Sequence, residues 1–249
     1  MLPPDDFNPP VGVAEPLAEG LRRILAPNPS PMTYRGTNTY LLGERDIAVI
    51  DPGPDDPAHL EAILAALQPG QRISHIIVTH AHLDHSPLSR DLAARTDAPV
   101  LAYGDFQAGR SEVMTQLAAQ GLAGGGEGVD ALFHPDQTVA DGAMIAGDGW
   151  ALRALWTPGH FGNHLSFLWD DVIFTGDLVM GWASSLVSPP DGDLTDFMAS
   201  CARLKTRDWR VFHSGHGAPI TDPIARLDWL IAQRNSRESQ ILAALQQGP

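Results

Sequence analysis

The chain has 249 residues, with 30 acidic against 16 basic side chains and a net charge of −14. Hydrophobic residues make up 43% and can fill a sizeable core, no apolar run approaches the ~20 residues of a membrane span, and the single cysteine, Cys201, excludes intrachain disulfides and cysteine-rich zinc modules. The acidic balance disfavours long-range attraction to phosphate backbones, and the opening MLPPDDFNPP lacks a basic or an apolar signal region, so a cytoplasmic protein is the simplest expectation.

Residues 1–16 hold five prolines and three acidic side chains, and read as an irregular arm. Residues 26–37, APNPSPMTYRGT, are a loop punctuated by Pro and Gly. The pattern then predicts strands over 39–42 and 47–50, joined by a short turn. Asp56 before Pro57 is an N-cap with Pro at the first helical position. That helix carries Leu60, Ile63, Leu64 and Leu67 on one face and stops at Pro69-Gly70. A short apolar strand over 76–79 runs straight into a histidine cluster, Ser86-Pro87 opens the next helix by the same cap logic, and 100–103 is a further strand. A helical stretch over 106–120 leads into GLAGGGEGVD. Its glycines at 124–126 read as a surface loop, with a mobile lid as the functional alternative, and not as a phosphate-binding loop, because no Lys-Ser/Thr follows. Strands follow over 150–156, 165–169 and 172–175, then a helix over 197–204 and a strand over 211–212. Asp222-Pro223 caps a final helix, with Ile224, Leu227, Leu230 and Ile231 on one face, running with or without a break to 245. Cys201 reads as a core residue of its helix. The basic stretch Arg203, Lys205, Arg207 and Arg210 reads as a solvated helix end and loop, and is the one place a nucleic-acid reading could rest.

The strongest chemical signal is THAHLDH at 79–85, which puts His80, His82, Asp84 and His85 within six residues at the end of a buried strand. Imidazole and carboxylate are ligands for zinc and similar divalent metals, and such groups are costly to bury beside an apolar strand unless something pairs them. Three further places have the same character: His160 in WTPGH, Asp177 in FTGD and His216 in HSGHG, each after an apolar strand and a glycine-containing turn. Seven ligands are too many for one zinc and suit two. A two-metal site acidifies water from ~15.7 toward ~7 and so supplies hydroxide for hydrolysis at neutral pH. His164 is a candidate for substrate contact or for support of His160. His213 is not taken as a ligand, and His59, His75 and His134 read as surface or structural residues.

From about Gly36 to Gly217 the sequence resembles the metallo-β-lactamase-fold superfamily, through VIDPG (49–53), THAHLDH, TPGH, FTGD and SGHG in that order. The resemblance implies an α/β protein with a four-layer αββα sandwich over about 17–220 and metals at one edge of two facing sheets. It implies that His80, His82 and His160 hold one metal, that Asp84, His85 and His216 hold the other, that Asp177 bridges them, and that Asp51 supports the site without ligating. A closer likeness, to the beta-lactamase-like protein 2 group, rests on RGTNTYL (35–41), TPGHFGNHLS (157–166) and RESQIL (237–242). Members of that group include a single-strand endoribonuclease and continue into a winged-helix-like region, of which 221–249 is expected to be a truncated beginning.

The leading expectation is a dinuclear zinc hydrolase acting on a small ester or thioester, in the manner of glyoxalase II, with Asp84 orienting the hydroxide. Iron or manganese could replace zinc. The alternatives are a single-strand endoribonuclease, a mononuclear iron persulfide dioxygenase, and a non-catalytic binding protein. The partner is expected to be a small molecule, with RNA as the alternative and no membrane.

Overall fold

The computed structural model describes residues 6–122 and 128–246, so the glycines at 124–126 and the beginning of the N-terminal arm lie outside the described residues. The first sheet has seven strands in sequence order: β1 (Glu15–Ala18), β2 (Leu21–Leu25), β3 (Asn38–Leu42), β4 (Asp46–Ile50), β5 (Arg72–Ile77), β6 (Val100–Ala102) and β7 (Gln137–Thr138). It is antiparallel up to β4 and parallel from β4 onward. The second sheet has the order β12-β11-β10-β9-β8, from β8 (Met144–Gly147), β9 (Trp150–Trp156), β10 (Leu165–Trp169), β11 (Val172–Gly176) and β12 (Val211–Ser214). Helices α1 (Pro57–Ala65) and α2 (Leu88–Thr96) pack on the first sheet, α3 (Glu112–Ala119) buries no residue, and α4 (Leu194–Leu204) and α5 (Pro223–Gln246) cover the second sheet.

Side-chain alternation builds the layers. In β4, Ile47 and Val49 face the α1–α2 side, while Ala48 and Ile50 face the other sheet. In β3, Leu41 points to the first side and Tyr40 and Leu42 to the second. Both faces are covered, so these strands read as continuous apolar runs. Across the middle layer the partners are Leu152, Ala154, Leu165, Phe167 and Phe174, and Ile173 on the opposite face of β11 joins Phe197, Cys201 and Leu227 beneath α4 and α5. Helices, sheet, sheet and helices make the expected αββα order.

The predicted α1 cap forms, with Asp56 Oδ1 accepting from the His59 N–H at 2.8 Å and Pro57 leading the helix. Several local expectations need correction. Strand β1 begins at Glu15, inside the stretch read as irregular, and β2 was not predicted at all, because its arginines hide the strand pattern. Arg23 is in fact buried, paired with Glu15 and placed over the Phe7 ring. The helix expected over 106–120 starts only at Glu112, because Asp105 Oδ1 accepts from the Gln107 and Ala108 N–H groups and holds a turn. Ser86 does not cap α2. Its hydroxyl donates to His82 O and Asp130 Oδ2, and Pro87 occupies the cap position. Helix α4 starts three residues early because Asp193 caps it, accepting from Thr195 N–H at 2.8 Å. The short strands β7 and β8 carried no recognised signal. Helix α5 runs unbroken to Gln246.

Strand β5 leads into the THAHLDH segment, β9 into Thr157–His160, β11 into Asp177, β12 into His216 and β4 into Asp51. Five carboxyl-terminal strand ends therefore converge on one edge of the sandwich, where layered α/β folds commonly place their chemistry.

Candidate metal centre

Seven side chains meet at that edge. His80, His82 and His160 form one group, Asp84, His85 and His216 a second, and His80, His85 and Asp177 a third between them, each with its ligand atoms within 4.8 Å of one another. His82 Nδ1 lies 2.9 Å from His80 Nε2 and 3.1 Å from His160 Nε2. At the other end His216 Nε2 lies 3.1 Å from Asp84 Oδ2, and His85 Nε2 lies 3.4 Å from the same oxygen. The Asp177 carboxylate spans both ends, with Oδ1 at 3.5 Å from His85 Nε2 and Oδ2 at 3.3 Å from His216 and 3.8 Å from His160.

The outer nitrogens of four histidines are held from behind. His80 Nδ1 meets Thr79 Oγ1 at 2.9 Å, His85 Nδ1 meets Asp51 Oδ2 at 3.0 Å, His160 Nδ1 meets Leu186 O at 2.6 Å and His216 Nδ1 meets Gly36 O at 3.1 Å. With Nδ1–H donating to these oxygens, each Nε2 faces into the cluster, the orientation metal-binding imidazoles adopt. Asp51 does more than hold His85. Its two oxygens also accept from Thr79 N–H at 2.7 Å and Thr79 Oγ1 at 2.8 Å, from a left-handed backbone at φ +51°. A single strained aspartate therefore fixes both the strand end that carries His80 and the ring of His85. Gly215 permits the closeness, since a Cβ there would lie 2.4 Å from Asp177 Oδ1 and 2.6 Å from His85 Cε1.

The residues fit a bound cation. His85 Nε2 and Asp177 Oδ1 are buried, face each other and have no hydrogen-bond partner. Such orphans are costly unless an ion satisfies them. The donor set, imidazole nitrogens and carboxylate oxygens without thiolate, suits zinc, iron or manganese.

Electrostatics divide the centre. Burial, reinforced by neighbouring imidazoles, holds His80 well below the usual histidine range and His82 at about 3. His160 is lowered by burial as well. At the opposite end burial also disfavours charge, but carboxylates overcome it. Asp84, Asp177 and Asp51 hold His85 well above its ordinary value, and Asp177 and Asp84 raise His216 to about 10. Asp84 and Asp177 stay well below the carboxylate range because His85 and His216 outweigh their burial.

The structure corrects the reading of His164. It is fully buried beneath the cluster, with Nδ1 at 3.0 Å from Thr157 Oγ1 and Nε2 accepting from the Asp177 N–H at 3.2 Å. It braces the turn that aims Asp177 and has no exposed surface. Gly176, at φ +46°, makes room, since a Cβ there would lie 2.6 Å from His164 Nε2. His213 lies away from the cluster against Tyr40 and Phe174, as expected of a non-ligand. His59, read as surface or structural, is structural: it is buried and meets Thr39 Oγ1 at 2.8 Å.

Several supports were not anticipated as such. Asn163 accepts from Ala81 N–H and donates to Gly104 O and Asp105 O, pinning the THAHLDH segment. Asn38 donates to Ser214 O and Gly217 O on either side of His216, and Thr37 Oγ1 lies 3.5 Å from Asp84 Oδ2. The RGTNTY signature was the available signal, although no spacing rule tells what its polar residues hold. The basic stretch is largely neutralised: Arg203 pairs with Asp141, Lys205 with Asp228 and Arg210 with Asp171, while Arg207 donates to Asp170 O and lies over Trp209. Cys201 is buried under α4, its thiol pushed up to about 12 by burial.

A family model described as "Metallo-beta-lactamase superfamily" matches residues 32–219. The chain is 32% identical over 236 residues to "Lactamase-like protein adaB" of Aspergillus niger, covering 93% of this chain and 66% of that protein. An Aspergillus fumigatus protein named "Atrochrysone carboxyl ACP thioesterase" is likewise 32% identical, over 90% of this chain and 64% of its own. The chain thus spans about two-thirds of the length of these curated relatives. A "Beta-lactamase-like protein 2 homolog" of Drosophila melanogaster is 32% identical over 94% of this chain and 76% of its own. Among solved structures, a metallo-beta-lactamase family protein from Thermus thermophilus superposes with a TM-score of 0.74 at 27% identity, over 92% of this chain and 84% of that one.

Proposed function

This chain belongs to the metallo-beta-lactamase superfamily, and from that premise we propose that it hydrolyses a small ester or thioester at a two-metal centre. His80, His82 and His160 would hold one ion, Asp84, His85 and His216 the other, and Asp177 would contribute to both. The observation that carries this reading is the pair of orphaned buried atoms, His85 Nε2 and Asp177 Oδ1, set among seven convergent donors. Divalent ions bound there supply Lewis acidity, polarising a carbonyl and bringing water's pKa from ~15.7 toward ~7.

The chain's own residues divide the remaining work. Asp84 reaches solvent most, with 26% of its side chain exposed against 9% for Asp177 and none for His85. On this reading it would orient an attacking water and accept its proton. Asp177, His85 and His216 form the dry floor. Asp51, Thr79, Leu186 O and Gly36 O hold the imidazoles, so the donor set is in place before substrate arrives.

Thioester is favoured as the substrate bond because relatives 30–32% identical to this chain, of whose length it spans 64–67%, are named "Atrochrysone carboxyl ACP thioesterase". The endoribonuclease reading loses ground, since the basic stretch is paired and the net charge is −14. No helix among the described residues is long and apolar enough to cross a membrane.

The test is elemental analysis of protein purified without added metal, followed by assays on thioesters, lactones and single-stranded RNA. Two zinc ions per chain with thioester turnover is the expected result. One iron per chain and no hydrolysis would overturn it and favour persulfide oxidation, and failure to hold metal after reconstitution would favour a non-catalytic binding protein.

A further inference from the structure

Arg35 stands apart from the other basic residues. Of the 16 lysines and arginines, only Arg35, Arg153 and Arg237 make no hydrogen bond or ion pair among the described residues, and Arg153 and Arg237 are exposed on the surface. Arg35 is half-buried, and its Nε is shielded from water with no partner. A guanidinium stays charged at every relevant pH, so this shielded N–H carries an unmet demand for an acceptor. In a chain with 30 acidic side chains, none of the described ones answers it.

Its position is defined by its neighbours. Gly36 O holds His216 Nδ1 at 3.1 Å, and Thr37 Oγ1 approaches Asp84 Oδ2 at 3.5 Å. Arg35 therefore sits one and two residues before two supports of the metal centre. The preceding Tyr34 has a left-handed backbone, φ +58°, which is strained for a bulky residue. Its ring stacks on Trp182 at 5.2 Å and on Phe7 at 6.0 Å, and the Arg35 guanidinium lies 5.1 Å from the Tyr34 ring centroid. Trp182 in turn abuts Gly217, where a Cβ would lie 2.8 Å from Trp182 Cδ1. The aromatic wall thus borders the His216 end of the centre. It holds the guanidinium plane by stacking and leaves its N–H groups free, which lowers the ordering cost of binding an anion.

We propose that Arg35 is the anion-recognition residue of this site and binds a carboxylate or phosphate carried by the substrate, next to the bond that is cleaved. The inference rests on the hydrolase reading and adds a substrate class to it: an anionic ester or thioester in place of a neutral one. A chain of net charge −14 repels such a substrate at long range, so local recognition needs a fixed cation close to the mouth. Carboxylate and phosphate offer the same paired oxygens to a guanidinium fork.

Three thioesters separate the sources. Butyryl-N-acetylcysteamine is neutral, butyryl-phosphopantetheine carries phosphate on the thiol side, and succinyl-N-acetylcysteamine carries a carboxylate on the acyl side. The full zinc-loaded chain is compared with Arg35→Gln, Arg35→Lys and the surface control Arg153→Gln. A charge-assisted hydrogen bond contributes about 1.5–3 kcal/mol, or roughly 10–100-fold. Arg35→Gln is expected to raise KM by that factor on one or both anionic substrates, with kcat retained and the neutral thioester unaffected. Arg35→Lys should recover part of the loss, and Arg153→Gln should change nothing. Equal losses on all three substrates, or none on any, would overturn the proposal. Should no thioester be cleaved, the hydrolase reading fails by itself. Calorimetric titration with phosphopantetheine against pantetheine, and with succinate against succinamide, then tests Arg35 directly. Anion binding that weakens in Arg35→Gln supports the assignment, and binding indifferent to the substitution, or no binding, refutes it.

Discussion

Histidines stand at both ends of the candidate metal centre, neutral at one and protonated at the other. Around His80, His82 and His160 imidazoles predominate, with Asp177 3.8 Å from His160, and burial drives the three neutral. His85 and His216 are as deeply buried, yet Asp84, Asp177 and Asp51 keep them protonated. Burial alone therefore does not set a histidine's charge; the number of facing carboxylates does. The first end presents lone pairs ready for a cation. The second holds protons in the places a cation would take, so loading it means exchange of protons for metal.

The largest expected effect falls on catalysis. Asp84→Asn removes the carboxylate proposed to accept the proton at the second end and should lower thioester turnover about 10³-fold. His82→Ala, at the first end, should do as much by removing a donor. Near-normal hydrolysis by either variant with metal still bound would break the division of roles.

Metal affinity comes next. Asp51→Ala leaves His85 Nδ1 and Thr79 without their partner and should weaken metal binding by about 10–100-fold, read by competition with a chelator. The loss should be larger for an ion at the His85 end, because Asp51 touches the His85 ring directly and reaches His80 only through Thr79, and equal weakening at both ends would erase the distinction between them.

Proton release sharpens the comparison. In metal-free protein His216 titrates at about 10, so it is protonated at neutral pH, whereas His82, at about 3, is not. Zinc titration in weak buffer at pH 7 should therefore release protons with the ion that binds the His85–His216 end and few with the other. Affinity at that end should rise with pH toward about 10, while affinity at the His82 end should stay flat between pH 6 and 8. Two ions with the same pH dependence would contradict the assignment.

A stability effect follows at His164. Its truncation to Ala strands the Asp177 N–H and should cost about 1–3 kcal/mol in urea unfolding of metal-free protein. His59 and His213 are each lowered by burial to about 4. The unfolded chain therefore binds more protons than the folded one between about 6.5 and 4, so stability is full above 6.5 and falls on acidification through that window. The smallest effect is expected when Arg203, Lys205, Arg207 and Arg210 are neutralised. Each exposed pair is worth about 0–1 kcal/mol, and any RNA cleavage should be unchanged.

The sequence by itself determined the candidate donor residues and the strand ends that carry them. THAHLDH, TPGH, FTGD and SGHG each follow an apolar run, and apolar runs ending in ligand-type residues can be read without a structure. The four-layer order was legible too, through the resemblance those motifs carry. Edge strand β1 and its neighbour β2 were not, because a buried, paired Arg23 looks like a surface residue until Glu15 and Phe7 are seen beside it. The charge division between the two ends was equally hidden, as was the role of His164. Only the tertiary structure decided these, since each depends on contacts between residues far apart in the chain. Gly36 O meets His216 across 180 residues, Asp51 meets His85 across 34, and His164 reaches Asp177 only because β10 and β11 pair. Ligand identity is a property of a side chain, but protonation, orientation and support are properties of its neighbours.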